Sequence, residues 1–194
     1  MSNTTIISYG FSKNARELSF IIMDYKKCTG CRTCETVCSS FNNKLRFEGK
    51  ETNGTGNPFY SNIKVFGYNP DVDIPVTCSR CIDAPCIAAC PVETEGKTEK
   101  KALSGNDIDF TVQFDETLCS QCGSCVEACI NGIVRQNTET GFPFGRCTLC
   151  DGEPQCVKFC TYEALSFEKR EIPKSTEIKH PDEMAKELIR KWYF

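Results

Sequence analysis

The chain of 194 residues carries sixteen cysteines in four groups of four, at 28, 31, 34, 38, then 78, 81, 86, 90, then 119, 122, 125, 129, then 147, 150, 156, 160, with none left over. The first and third groups read CTGCRTCETVC and CSQCGSCVEAC, both C-x2-C-x2-C-x3-C. The second and fourth, CSRCIDAPCIAAC and CTLCDGEPQCVKFC, lengthen only the gap before the third cysteine. Thiolates at this spacing are ligands for 4Fe-4S cubanes. Three cysteines spaced by two residues lie on one tight loop that can wrap a face of a cubane, with backbone N–H groups turned toward the sulfurs. The fourth falls about one helical turn further on and points elsewhere. A repeated ligand set means a repeated cofactor, so the pattern implies four 4Fe-4S clusters. Zinc sites are built from separated C-x2-C pairs or Cys/His mixtures, whereas here triplets carry a fourth cysteine at fixed offset and His180 is the only histidine.

Composition supports metal ligation over disulfides. Cysteine at this density means one or the other. The start, MSNTTIISYGFSKNAREL, has no charged n-region, apolar h-region or small-residue cleavage site. It has no twin arginine, and no apolar run long enough for a membrane span. The expectation is a cytoplasmic protein, where thiols stay reduced. Counting all sixteen cysteines as thiolates and adding four dicationic cores carries the formal charge from −3 to about −11. Such an acidic protein is not a nucleic-acid binder, which shows as a basic patch or high pI. Lys97, Lys100 and Lys101 read as a solvated run in a loop. No catalytic constellation appears, since four cubanes occupy all sixteen ligands and leave no open iron site. Gly54 and Gly56 are not set between a strand and a helix as a nucleotide fingerprint requires.

The elements that must position the cysteines are partly legible. Alternation predicts strands before motif one in LSFIIMDYKKC and before motif three in DIDFTVQFDETLC, and after motif four in ALSFEKREI and motif one in SNIKVFGYN. Short helices are expected after the fourth cysteines, in ETVCSSFNNKL and VEACINGI. The implied fold class is α+β: duplicated bacterial-ferredoxin-like modules, small sheets and short helices around four iron-sulfur clusters. Phe41, Phe110, Phe114, Phe144, Phe159 and Phe167 are expected to pack around the clusters and exclude water. Residues 41–62 and the segment ETEGKTEKKALSGND read as surface loops. A C-terminal helix is predicted over 181–193, with Pro181 at its first position, Asp182 and Glu183 on the positive end of the dipole and Arg190 and Lys191 at the other. Its apolar face, Met184, Leu188, Ile189 and Trp192, suits either its own domain or a partner groove. The division is 1–180 for the cluster domain and 181–194 for this helix, a possible docking element.

In two-cluster ferredoxins the fourth cysteine of a motif ligates the other cluster, so motifs work in reciprocal pairs. Spacing alone leaves the pairing open: motifs three and four are separated only from Cys129 to Cys147, which suits pairing in sequence order. The arrangement over about residues 20–168 resembles the four-cluster subunits of molybdenum and tungsten oxidoreductases, among them those of dimethyl sulfoxide reductase, nitrate reductase and formate dehydrogenase. That resemblance implies nested pairing and four ligand sets: Cys28, Cys31, Cys34 with Cys160; Cys147, Cys150, Cys156 with Cys38; Cys78, Cys81, Cys86 with Cys129; and Cys119, Cys122, Cys125 with Cys90. The compact RCTLCDGEPQCVKFC, with CTGCRTCETVCSSFNN, looks like the electron-transfer subunits of tungsten aldehyde oxidoreductases and benzoyl-CoA reductase-type enzymes. Ile130 and Thr161 replace the proline common after the fourth cysteine, found here only as Pro91. The resemblance implies a wire for single electrons between a catalytic subunit, of tungsten- or molybdenum-pterin type, and a second redox partner, with no direct membrane span. The alternatives are a free polyferredoxin, or the electron-transfer subunit of a hydrogenase or CO dehydrogenase.

Overall fold

The β-branched and aromatic run before motif one forms β1 (Glu17–Met23), in a computed structural model that describes residues 17–42, 45–47, 50–52, 56–95 and 98–194. The first sixteen residues, Lys97 and parts of both insertions lie outside the described residues. Motif one runs into α1 (Thr33–Asn42), followed by the ribbon of β2 (Leu45–Phe47) and β3 (Lys50–Thr52). The hairpin of β4 (Ile63–Tyr68) and β5 (Val72–Thr77) leads to motif two and α2 (Pro85–Ala89). Next come β6 (Val92–Glu95) with β7 (Thr98–Lys101), then β8 (Leu103–Gly105) with β9 (Val112–Phe114). Motif three ends in α3 (Ser124–Glu127), and β10 (Arg135–Gln136) pairs with β11 (Pro143–Phe144). Motif four carries α4 (Gln155–Lys158), after which β12 (Leu165–Glu171) returns antiparallel to β1, from Met23 opposite Leu165 to Glu17 opposite Glu171. The result is a mixed α/β fold of two-stranded antiparallel ribbons and short helices.

Three expectations need correction. The helices do not begin after the fourth cysteines, although α1 runs one turn past Cys38 through most of ETVCSSFNNKL. α1 contains both Cys34 and Cys38, while α2, α3 and α4 contain the third cysteine and stop before the fourth. The x3 offset is itself one turn of helix, so the helix is what sets the distance between third and fourth ligands. The insertions over 41–62 and 93–107 are not plain loops, because β2, β3, β6, β7 and β8 lie in them. Glycine between short strands marks a hairpin as readily as a loop. Lys101 is not a solvated charge: its Nζ donates to the Ile87 and Ala88 carbonyls at 2.8 and 3.0 Å and caps the C-terminus of α2. A cation there is worth about 0.3–1 kcal/mol.

Two hydrophobic clusters make up the core. One gathers Ile21, Ile63, Val65 and Leu165 with Cys34, Cys38 and Cys156. The other gathers Val72, Ile74, Val76, Leu103, Phe110 and Ile133 with Cys86 and Cys125. The β4–β5 hairpin joins them, β4 serving the first and β5 the second. The side chain of Phe110 is fully buried, worth about 1.5–3 kcal/mol. Glu35, also fully buried, ties α1 to β4 by accepting the Val65 N–H at 2.6 Å and pairing with Lys64 at 3.1 Å. An orphaned Val65 N–H would cost about 1–3 kcal/mol.

The terminal helix, α5 (Pro181–Tyr193), begins where its sequence predicts. His180 accepts the Asp182 N–H through Nδ1, and the Tyr68 hydroxyl donates to Asp182 Oδ1 at 2.5 Å. Ala185 is buried, and Met184, Leu188, Ile189 and Trp192 pack on the second core cluster. The apolar face therefore lies on the chain's own core, leaving only Tyr193 and Phe194 exposed at the end. Among the described residues no helix is long and apolar enough to cross a membrane.

Candidate metal centre

Each motif opens with the same local turn. The residue two after the first cysteine has a left-handed backbone in all four: Gly30 (φ 63°), Arg80 (φ 48°), Gln121 (φ 59°) and Leu149 (φ 55°). This turns its N–H back to the first sulfur, as in Gln121 to Cys119 at 3.4 Å and Leu149 to Cys147 at 3.5 Å, with Gly30 to Cys28 and Arg80 to Cys78 alike. Only the first motif uses glycine for it, and there a Cβ would come within 2.5 Å of the Asp73 carboxylate. The other three accept αL strain, which costs roughly 1–2 kcal/mol per residue. The fourth cysteines repeat as well: the N–H groups of Cys90, Cys129 and Cys160 donate to Ile87, Val126 and Val157, at 3.1–3.2 Å.

The thiols converge on four cavities. One is lined by Cys28, Cys31, Cys34 and Cys160. A second is lined by Cys38, Cys147, Cys150 and Cys156. A third has Cys78, Cys81, Cys86 and Cys129. The fourth has Cys90, Cys119, Cys122 and Cys125. Three walls of each come from one motif and the fourth thiol from another. Among the described residues no His, Asp or Glu lines any of the four, so the metal donors there are sulfur alone, the soft set that suits iron-sulfur clusters. Among the described residues no three His, Cys, Asp or Glu close on a single metal ion. A single ion would draw its thiolates to metal–sulfur bonds of about 2.3 Å, so all-sulfur sets that do not close on one ion fit a larger core.

The electrostatics follow from burial. Desolvation pushes the thiols of Cys34, Cys86 and Cys147 up to about 12, and raises Cys78, Cys81 and Cys156 too. Neighbouring thiolates add to the rise at each. Four such sulfurs can all be anionic only around a cationic core, which deprotonates them outright. Cys31 and Cys122 are the exceptions. Both are exposed, and hydrogen bonds led by the hydroxyls of Thr33 and Ser124 lower them.

Neighbouring sets act on one another electrostatically in one order. Charge on Cys34 raises Cys156, charge on Cys78 raises Cys147, and charge on Cys125 raises Cys86. The row therefore runs from the Cys28 set through the Cys147 and Cys78 sets to the Cys119 set, with exposed Cys31 at one end and exposed Cys122 at the other. Side chains that sequence reasoning does not single out line this row. Asn42 Nδ2 reaches Cys38 Sγ at 3.5 Å and Cys150 Sγ at 3.9 Å, and Thr148 Oγ1 donates to Asn42 Oδ1 at 2.7 Å. Asn131 accepts from Cys129 Sγ at 3.2 Å and donates to the Thr77 carbonyl at 2.9 Å. Arg80, Arg135 and Arg146 are withdrawn from solvent beside cysteines. Asn42, Arg80 and Arg146 do lie in or next to a motif, the one signal that could have found them.

The phenylalanines divide. Phe110 is buried, and Phe114, Phe144 and Phe167 are half-buried, but Phe41 and Phe159 are 39% and 50% exposed and do not seal a cavity. Each adjoins a residue that faces the cavity, Asn42 or Cys160, and so turns outward.

Residues 72–170 match the family described as the 4Fe-4S dicluster domain. The chain is 34% identical over 191 residues to the aliphatic sulfonate oxidoreductase polyferredoxin-like subunit of Pyrococcus furiosus, covering 93% of this chain and 96% of that one. This chain belongs to the 4Fe-4S dicluster domain family. It binds 4Fe-4S clusters. A further relative, the probable anaerobic dimethyl sulfoxide reductase chain YnfG of Escherichia coli K12, is 29% identical over 163 residues, covering 75% of this chain and 70% of that one. Among solved structures, the active-site complex BamBC of benzoyl coenzyme A reductase aligns over 91% of this chain and 92% of its own, at 27% identity and a TM-score of 0.41.

Proposed function

We propose that the chain is the electron-transfer subunit of an oxidoreductase complex, holding four 4Fe-4S clusters in two ferredoxin-like units, one built from motifs one and four and the other from motifs two and three. The ligand sets are Cys28, Cys31, Cys34 and Cys160; Cys147, Cys150, Cys156 and Cys38; Cys78, Cys81, Cys86 and Cys129; and Cys119, Cys122, Cys125 and Cys90. The observation that carries this reading is the row of four all-sulfur cavities, each lined by three thiols of one motif and one of its pairing partner. When bound, the clusters supply one-electron redox chemistry at four successive positions. The chain's own residues do the rest: αL turns aim N–H groups at sulfur, the two core clusters exclude water, and the exposed sets of Cys31 and Cys122 leave the ends of the row open to partners.

The relatives named as oxidoreductase subunits support a catalytic partner. We assign that partner to the tungsten- or molybdenum-pterin type on the strength of the compact fourth motif, with a second redox protein at the other end and assembly in the cytoplasm, where thiols stay reduced. The test is metal content. Anaerobically purified protein should contain about sixteen iron and sixteen acid-labile sulfide per chain. Zinc without sulfide, or about eight iron with half the cysteines free to alkylation, contradicts the reading.

A further inference from the structure

Arg80 stands between the first two cysteines of motif two and is only 2% exposed. It lines the Cys78 cavity, beside the point where the Cys147 N–H reaches the Cys78 sulfur. Its charge faces the thiolates of Cys147 and Cys78, and the backbone N–H groups of both Arg80 and Cys147 are directed at the Cys78 sulfur. The guanidinium is fixed from both halves of the fold. Nη1 donates to the Asp109 carbonyl at 2.5 Å, ahead of β9, Nη2 donates to the Ser19 carbonyl of β1, and the plane lies 4.0 Å from the centre of the Phe20 ring. These hydrogen-bond and ring partners are neutral; among charged side chains the Asp109 carboxylate acts on Arg80 after the Cys147 and Cys78 thiolates. Arg170 lies over the same ring at 5.6 Å. The carboxylate of Asp109 is taken up by the Thr111 N–H and hydroxyl, at 2.9 and 2.7 Å.

A guanidinium is costly to remove from water unless negative charge is close by. Burial drives the proton affinity of Arg80 down, while the Cys147 and Cys78 thiolates act in the opposite sense. Those two cysteines belong to the two adjacent sets, one in each half. Four thiolates around a dicationic core carry a charge of about −2, and one added electron makes it about −3. A fixed cation in a poorly screened site stabilises the more negative state.

We propose that Arg80 raises the reduction potentials of the two clusters at the junction, those of the Cys78 and Cys147 sets, and so keeps the crossing between the two halves passable for electrons. The inference rests on the four-cluster reading above. The test is an electron paramagnetic resonance redox titration of the anaerobic, full-length protein with dithionite, after iron analysis of each variant. In Arg80→Gln, which keeps amide donors and loses the charge, two of four midpoint potentials should fall while two stay. In Arg80→Lys, which keeps the charge, all four should stay. Unmoved potentials in the glutamine variant, a change in one alone, or a uniform shift of all four would overturn the proposal. Should the glutamine variant lose iron, the lysine variant decides: four unshifted potentials uphold the charge, and a fall at the junction overturns it. Parent protein with fewer than four clusters would instead remove the reading beneath it.

Discussion

Hydrogen bonds to cluster sulfurs are among the means by which a protein sets a cluster's potential. Asn42 places one amide against two thiols of one cavity, Cys38 on its own helix one turn back and Cys150 from the far end of the sequence, and Thr148 locks the amide's orientation. Substituting Asn42→Leu keeps the volume and removes both N–H···S contacts. The expected outcome is a lower midpoint potential for one cluster of the four, read by redox titration, with iron content unchanged; an unchanged potential would show that the amide serves only to terminate α1. At this scale the candidate ligands were legible in the sequence as a pattern, because their offsets recur four times. The side chains around them were not. Arg80 and Asn42 act across 61 and 108 positions of chain, on Ser19 and Cys150, and nothing in local periodicity records such contacts.

Among the elements, β1 and β12 were readable as strands from their alternation, but their partnership was not, because a strand's sequence does not name its neighbour. That pairing brings the start of motif one against the end of motif four. The helix α5 was readable to the residue at its start, since Pro181 and the acidic first turn are strong local signals. Its apolar face was equally plain, and the core it covers needed the fold. Truncation would strip from that core the cover of Met184, Leu188, Ile189 and Trp192, with buried Ala185. Even at about 1 kcal/mol for each half-buried side chain, the sum rivals a domain's net stability of about 5–15 kcal/mol. Removing residues 181–194 should therefore cost iron or solubility, measured by iron retention after anaerobic gel filtration. A truncated chain that keeps all its iron and loses only its catalytic partner would mean that α5 is a docking element.

For the whole molecule the decisive question is which motifs share a cluster. Proximity along the chain favours motif three with motif four, yet loop-closure entropy grows only logarithmically, so the long excursion from motif one to motif four costs little more than a short one. Residues flanking the motifs divide between the two core clusters in a way that suits nesting. Ile21 and Leu165, flanking motifs one and four, fall in one; Val76 and Val112, flanking motifs two and three, fall in the other. Nesting also gives the row two ends, at Cys31 and Cys122, as a wire between two partners requires. Cys129 lines the cavity of Cys78, Cys81 and Cys86. The most direct measurement compares the electron paramagnetic resonance spectra of three variants of the full-length protein, Cys129→Ser, Cys78→Ser and Cys147→Ser. Nested pairing predicts that Cys129→Ser and Cys78→Ser alter the same cluster signal and that Cys147→Ser alters a different one; a match between Cys129→Ser and Cys147→Ser would contradict it.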